Sequence, residues 1–413
     1  MRPAIPMLHR GLTWLHRWTG LVLALFLILL GLTGSLLAFR NRIDRWLNPG
    51  FHVRPHPGQS MMPLAAIAEH AEAALPHARV GFFTVDSDQA LVHMMGRIDS
   101  ATGAPWPMPE HPVAFDPYTG ERLRAGPVTD PDRQPIELMD FIYALHTSLA
   151  TRTTWGWTFV GVIALLWTLD SFVAAVVTLP RSAGPFWPRW RQAWTIKLGA
   201  GARRFYFDVH RSGGLWLWPL LVVFGWSSVM LGLNGLYNPV MQSLFDYVSP
   251  DETIASLMLP VPVEHPKLSW REAQSIGERV MRRTAAERHF TIERPYGMAY
   301  VAEYGGYTYA VRSSLDLRGH GWDTTVLIDG NSGELRELDL PRGVHTGNTL
   351  STLLWGIHYG DLRDWLPFRI FICLFGFLLT IISCTGIDIW WRRTRPLRPT
   401  GAGPTPHRGQ PRH

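Results

Sequence analysis

Four of the 17 histidines stand apart from the rest by where they fall. His16 and His210 open long apolar runs in the same context. Leu15-His16-Arg17-Trp18-Thr19-Gly20 and Val209-His210-Arg211-Ser212-Gly213-Gly214 both read H-R-x-x-G. His146 and His358 precede two further apolar runs. His146 lies 35 residues before Arg181 (181 − 146), and His358 lies 34 before Arg392 (392 − 358). Imidazole is the commonest metal-ligating side chain. A pair of imidazoles from facing helices is what a haem iron takes as axial ligands, because the macrocycle fills the remaining positions. Zinc asks for four close ligands, or an open site with a carboxylate. A lone histidine at a helix end is ordinarily an interfacial residue. The repetition is what separates these four from that background.

The elements that must position them are four apolar stretches, residues 18–39, 155–180, 212–242 and 371–391. Each is long enough to cross about 30 Å of hydrocarbon, which takes roughly 20 residues of helix. Their only charges are Asp170 in the second and Asp388 near the end of the fourth. The first reads as a span and not a cleavable leader, since Leu37-Ala38-Phe39-Arg40 offers no small-x-small site. Basic residues orient such spans. Arg2, Arg10 and Arg17 precede the first, the loop 181–208 has six basic residues against Asp208, and the tail from Arg392 has six arginines and no acid. Residues 40–140 carry 9 basic against 13 acidic side chains, and residues 236–365 carry 12 against 17. Both termini and the short loop are therefore expected in the cytoplasm and both long segments outside. The four histidines then form an inner pair, His16 and His210, and an outer pair, His146 and His358. Two histidines per membrane face do not meet the needs of zinc.

Composition agrees with that layout. Hydrophobic residues make up 46% of the 413-residue chain and charged residues 17%, where about 25% charge is usual in soluble proteins. Disorder and a wholly soluble enzyme are excluded. Two cysteines exclude a disulfide scaffold, and no C-x-x-C-H is present for covalent haem. The net charge of +6 is concentrated on the cytoplasmic side, where it faces anionic lipid and not nucleic acid.

Each long segment reads as a small α+β unit. In the first, residues 63–75 have helical periodicity, with strands expected at 79–85, 90–95 and 112–116. In the second, Ser269-Trp-Arg-Glu272 has capping-box spacing, with strands expected at 288–293, 298–304, 307–312 and 325–328. Asp116-Pro-Tyr-Thr-Gly-Glu121 and Asp329-Gly-Asn-Ser-Gly-Glu334 share D-x-x-[T/S]-G-E, which is hairpin chemistry and carries no catalysis. Helix, outer unit, helix thus occurs twice, as a tandem duplication.

The H-R-x-x-G openings, the pairs Thr33-Gly34 and Thr385-Gly386, the ending Trp390-Trp391-Arg392-Arg393 and the D-x-x-T-G-E turns carry a resemblance. Over residues 8–395 the chain resembles the PepSY-associated transmembrane family. Within it, the layout is most similar to iron-regulated inner-membrane proteins of the ferric-siderophore reductase kind, which carry b-type haem. It departs from the family at Leu169-Asp170-Ser171, where Thr-Gly is usual, and at Met230-Leu231-Gly232. The resemblance implies a membrane α-helical bundle of four transmembrane helices with two small periplasmic α+β PepSY-like domains. The expected order is a tail 1–17, helix 18–39, domain 40–140, helix with lead-in 141–180, loop 181–208, helix 209–242, domain 243–345, helix with lead-in 346–391 and tail 392–413. It also implies two haem b groups, with His16, His146, His210 and His358 as axial iron ligands. Ferric siderophore is then the substrate, quinol or a cytoplasmic reductase the electron donor, and the bacterial inner membrane the location. The rival reading is a non-redox PepSY membrane protein acting as a protease inhibitor or sensor.

Other residues hold weaker candidacies. His9 shares a helix face with His16, and His345 lies 13 residues before His358 (358 − 345), so either is an alternative ligand. Asp170, roughly 15 Å deep at about 1.5 Å per residue, is a candidate proton acceptor or quinol-site residue; the plainer reading bonds it to Ser227, Ser228 or Ser383. Cys373 and Cys384 are 11 residues apart on one helix (384 − 373), too far for a disulfide, and read as packing residues. Arg312, Tyr307 and Trp355 suit an anionic, aromatic chelate. The remaining histidines, among them His52, His111, His320, His407 and His413, read as surface residues. No nucleotide-binding motif is present, so electrons must come from a partner or from quinol. The orientation has a direct check. Alkaline phosphatase fused after residue 110 should be active and after residue 195 inactive; the reverse pattern would invert the topology.

Overall fold

The computed structural model describes residues 4–56, 58–99, 101–108, 112–123, 137–181 and 184–394. His111, His407, His413 and the tail arginines beyond Thr394 lie outside the described residues. In chain order the helices are α1 (Ala4–Leu37), α2 (Arg40–Leu47), α3 (Leu64–Ala74), α4 (Leu138–Ser148), α5 (Thr154–Val177), α6 (Phe186–Trp190), α7 (Ala202–Gly232), α8 (Asn234–Leu244), α9 (Pro250–Leu257), α10 (Trp270–Arg288), α11 (Thr346–His358) and α12 (Leu366–Thr394). The strands are β1 (Ala78–Val85), β2 (Ala90–Gly96), β3 (Val113–Phe115), β4 (Ile292–Val301), β5 (Gly306–Ser313), β6 (Thr324–Asp329) and β7 (Leu335–Asp339).

α1, α5, α7 and α12 are long and apolar enough to cross a membrane. Two of them start earlier than the apolar runs suggest. α1 begins at Ala4 and α7 at Ala202, so His16 and His210 lie inside helices and not at their openings. Arginines interrupt a hydropathy profile without interrupting a helix, for which Arg is a good former. The expected span 209–242 is also shortened. α7 stops at Gly232, Leu233 leaves helical geometry at φ −136°, and α8 follows as a separate helix. Gly232, Asn234 and Gly235 are weak helix formers and place the break there. His146 and His358 sit on short helices of their own, α4 and α11, ahead of the spans.

The chain forms two compact units. The first takes in Met1–Gly31, Leu166–Val222 and Phe377–His413. In it the Trp218 indole donates to Ser171 O at 2.9 Å, and buried Asp208 accepts from Arg204 Nε at 2.9 Å and from Arg211 at 2.8 Å. Trp187, Trp190, Trp194 and Trp216 form a chain of ring contacts 5.2–5.6 Å apart.

The second unit takes in Leu32–Leu165 and Val223–Gly376. α5 and α7 approach there through Gly161 and Gly232: a Cβ on Gly232 would lie 2.8 Å from Gly161 Cα, so neither position has room for a side chain. The same unit contains a seven-stranded antiparallel sheet in the order β3-β2-β1-β4-β5-β6-β7, where two separate domains were expected. β1 and β4 would each be an exposed edge of its own half, and pairing Phe82 with Ala299, Phe83 with Met298 and Thr84 with Gly297 removes both edges. One core results. Ile67, Val80 and Phe83 from the first segment pack with Met281, Met298, Val311 and Ile328 from the second. Burying such side chains contributes about 1.5–3 kcal/mol each, an amount that splitting the halves would forfeit at the joint.

The strand expected at 288–293 begins at Ile292 instead. The capping box of Ser269 and Glu272 starts α10, which runs to Arg288, and His289 closes it in the left-handed conformation at φ 57°. Both D-x-x-[T/S]-G-E segments are turns. Asp116 Oδ1 accepts from the amide of Tyr118 at 2.7 Å, and Asp329 Oδ1 from those of Asn331 and Ser332 at 2.9 Å. Gly120 and Gly333 each take the φ of +75° that the turn requires.

A charged cluster fixes the segment after α2 to the β1–β2 turn. His52 Nδ1 lies 3.0 Å from Asp88 Oδ2, its Nε2 lies 3.9 Å from Asp44, and Arg45 pairs with Asp88 at 2.6 Å. Burial works against charge on the His52 ring, but the Asp44 and Asp88 carboxylates outweigh it and raise its pKa. The same contacts hold Asp44 and Asp88 below the usual carboxylate range. A raised histidine contributes stability that is complete below its unfolded value of about 6.5 and lost as pH rises through the folded value. The carboxylates contribute theirs above about 3.9 and lose it in acid. Thermal melting of the wild type and His52→Gln should therefore differ most near pH 6 and converge toward about pH 9. A gap that widens with rising pH would refute the cluster's role.

Candidate functional site

His16 on α1 and His210 on α7 face each other with ring centroids 6.2 Å apart and planes tilted by 38°. Each ring is held by another span. Asp170 Oδ2 on α5 lies 2.9 Å from His16 Nδ1. His210 Nδ1 lies 3.0 Å from the Ile382 carbonyl of α12 and 3.4 Å from the Thr385 hydroxyl, which itself donates to Ile382 O at 2.7 Å. Glycine makes room beside the rings. A Cβ on Gly386 would lie 3.0 Å from His210 Cε1, and Gly20, one turn after His16, faces both His16 and Asp170 at 3.7 Å.

His146 at the end of α4 and His358 at the end of α11 have centroids 6.3 Å apart and planes inclined by 63°. His146 Nδ1 lies 2.8 Å from the Thr33 hydroxyl of α1. His358 Nδ1 lies 2.8 Å from the Ser227 hydroxyl of α7, and that hydroxyl also donates to Phe224 O at 3.1 Å, which leaves it to accept from the ring. A Cβ on Gly34 would lie 3.1 Å from His146 Cε1. The two short helices are tied down separately. Arg40 of α2 pairs with Asp140 of α4 at 2.5 Å. Asp361, three residues after His358, accepts from the His320 amide at 2.8 Å and from Arg369 at 3.1 Å. Its carboxylate raises the pKa of the His320 ring 3.2 Å away.

Each of the four spans therefore supplies one partner to one imidazole Nδ1, and a metal would be met through Nε2. Holding one ring nitrogen so that the other is presented is the usual support of a metal-bound histidine. The spacing discriminates among metals. An imidazole nitrogen meets a metal at about 2.0 Å and lies roughly 1.1 Å from its ring centre, so two rings across one iron have centres about 6.2 Å apart. The separations of 6.2 and 6.3 Å fit that value. Among the described residues no group of three or more His, Cys, Asp or Glu side chains could hold a bare metal ion. Two imidazoles alone suit a metal that arrives with its own planar ligands, as haem iron does.

Of the alternative ligands, His9 has its Nε2 taken, whereas His345 is anchored through Nδ1 as the four are. His9 Nε2 lies 2.8 Å from Arg181 Nε and 3.1 Å from Val177 O, and His345 Nδ1 lies 3.0 Å from Asp246. Asp170 departs from the plainer expectation held for it. It bonds neither Ser227, Ser228 nor Ser383, whose hydroxyls donate to Phe224 O, Phe224 O and Leu379 O. It is an outer partner of His16, 8% exposed, with Oδ1 buried and without a hydrogen bond. Cys384 is exposed on α12 and does not pack in a core; Cys373 is half-buried, and both thiols are free. Arg312 (7% exposed, paired with Asp316) and Tyr307 (3% exposed, donating to Leu268 O) are structural and closed to a ligand. Trp355 is open, 41% exposed, with Arg318 stacked 4.8 Å above its ring.

Missed by sequence reasoning were the hydroxyl of Ser227 and a polar aromatic group beside His146 and His358. There Arg40 stacks 4.9 Å over Tyr143, and the Tyr143 hydroxyl lies 3.5 Å from that of Tyr359. Tyr143 falls one turn before His146 and Tyr359 directly after His358, a spacing that could have marked them. The Thr-Gly pairs were visible, and the structure gives their use: the threonine meets an imidazole nitrogen and the glycine admits its ring.

The family model for the PepSY-associated TM region matches residues 13–393. Comparison with curated proteins gives no match. A match of that extent covers all four spans, the sheet and both histidine pairs, and the chain belongs to the PepSY-associated transmembrane family.

Proposed function

We propose that this multi-pass membrane protein binds two haem b groups, one between His16 and His210 and one between His146 and His358, and passes electrons through them to a ferric siderophore. The observation that carries this reading is the pair of imidazole separations, 6.2 and 6.3 Å, with every Nδ1 anchored. The finer topology belongs to the same reading: a duplicated chain in a bacterial inner membrane, with cytoplasmic termini and a periplasmic sheet. A protease inhibitor or sensor of the same family would have no use for two such pairs, which favours the redox reading.

When bound, haem supplies a reversible one-electron Fe(III)/Fe(II) couple. The chain's own residues do the rest. Asp170, Thr33, Ser227 and the Ile382 carbonyl hold the rings through Nδ1, so that Nε2 would be left for the iron. Gly34 and Gly386 leave room for the rings of His146 and His210. Phe224, 5.6 Å from the His358 ring and stacked on Phe375 at 4.6 Å, keeps water from that ligand. Arg40, Tyr143, Tyr359 and Trp355 offer a cation and aromatic faces to an anionic chelate. One electron per iron converts Fe(III) to Fe(II), which hard oxygen ligands hold more weakly, so the metal is released. Quinol or a cytoplasmic reductase is the donor in this scheme.

Protein expressed with adequate haem should contain about two low-spin haem b groups per chain, measured as the pyridine haemochrome. His16→Ala and His358→Ala should each retain about one, and not the same one, by their reduced α-band positions. No haem in the wild type would defeat the reading, and loss of the same haem in both variants would defeat the pairing. In proteoliposomes, ferric siderophore supplied on the sheet side should reoxidise dithionite-reduced protein and yield ferrozine-trapped Fe(II). Haem that stays reduced with every siderophore tried would leave electron transfer without this substrate.

A further inference from the structure

We propose that Asp170 holds the reduction potential of the His16–His210 site below that of the His146–His358 site. The inference rests on the haem reading above and goes beyond it, because it assigns the two sites different tasks. The observation is an asymmetry among the Nδ1 partners. His146 and His358 meet hydroxyls, those of Thr33 and Ser227, each at 2.8 Å. His210 meets a backbone carbonyl at 3.0 Å. Only His16 meets a carboxyl group, Asp170 at 2.9 Å.

Orientation alone does not require that group, since three neutral oxygens orient the other three rings. A carboxyl group inside a span is a costly choice. Asp170 adds to that cost by burying Oδ1 with no hydrogen-bond partner. What a carboxyl group adds is electronic. With Nε2 on iron, Nδ1 carries the proton and donates it to Asp170. A stronger acceptor draws that proton and makes Nε2 a more basic ligand. A more basic ligand favours Fe(III) over Fe(II) and lowers the potential. With haem held at both sites, an electron would pass downhill from the His16–His210 site to the His146–His358 site. One iron is oxidised, the other is reduced, and no bond forms or breaks. Asp170 is a positioning and tuning residue, because it acts through His16.

The test is equilibrium redox potentiometry of the full haem-loaded chain in detergent, read at the reduced α bands. The wild type should reduce in two one-electron steps. His358→Ala, which keeps the His16–His210 haem, should retain the lower step, and His16→Ala the higher. Asp170→Asn keeps an oxygen to accept from Nδ1 and removes the acid. It should shift the lower step upward by at least tenfold in the reduction equilibrium, ~59 mV for a one-electron couple, and leave the higher step in place. An unmoved lower step, or movement of the higher step, overturns the proposal. Should Asp170→Asn lose its haem, the order of the two single-haem variants still decides: a higher potential in His358→Ala than in His16→Ala overturns it. Wild type without haem would instead fail the haem reading itself.

Discussion

The arrangement depends on one kind of contact, the hydrogen bond that crosses from a span helix to an imidazole Nδ1. A polar ring among apolar helices must have its nitrogen satisfied, because little water is there to do it. Each of the four spans gives one such oxygen: Thr33 from α1, Asp170 from α5, Ser227 from α7 and the Ile382 carbonyl from α12. These contacts fix more than the rings. A helix rotated by one residue, about 100°, would carry its oxygen away from the imidazole and bring a larger side chain where Gly34 or Gly386 now stands. The register of the spans and the presentation of the four imidazoles are thus one constraint.

The sheet answers a different need. His146 and His358 sit on helices of 11 and 13 residues, lengths marginal for a helix without tertiary support. α4 is held through the Arg40–Asp140 pair, and the end of α11 through Asp361, where His320 and Arg369 converge. His320 belongs to the β5–β6 connection, so the sheet that joins both segments through β1 and β4 is also what steadies the helix end that carries His358. A strand pairing between two halves of the chain therefore bears on a side chain outside the sheet.

Much of this could be read from residues. The spans follow from apolar length, β1, β2, β5 and β6 from alternation, and the four histidines from their repeated context. What could not be read has identifiable causes. Hydropathy stops at arginine although a helix does not, so the starts of α1 and α7 were set too late. Local alternation cannot say which edge strand meets which, so the joining of β1 to β4 was missed. Tyr307 is buried against a partner distant in sequence, Leu268 O, and Arg312 is closed by the fold of the loop that follows it, through Asp316 and Gly321 O; composition alone had made both ligand-facing. Asp170 was noticed for its depth, yet its partner His16 lies 154 residues away and no spacing rule connects them.

In the proposed haem site two imidazoles would close the coordination sphere of the iron, and this would shape what the proposed activity can select. A ferric chelate would have to accept its electron without entering the site, since no position stays open for a substrate oxygen. Selection then falls to the surface beside His146 and His358. The groups there, exposed Tyr359 and Trp355 with half-buried Arg40 and Tyr143, would read charge and flat aromatic faces but no detailed shape. Arg40 is already paired with Asp140, so its attraction for an anion is partly spent within the chain. Discrimination by such a surface is modest, because an exposed ion pair contributes at most about 1 kcal/mol and a cation–π contact at an exposed site about the same. A protein built this way would accept chelates that share charge and aromatic character, and would separate them more by the potential of their iron than by their outline.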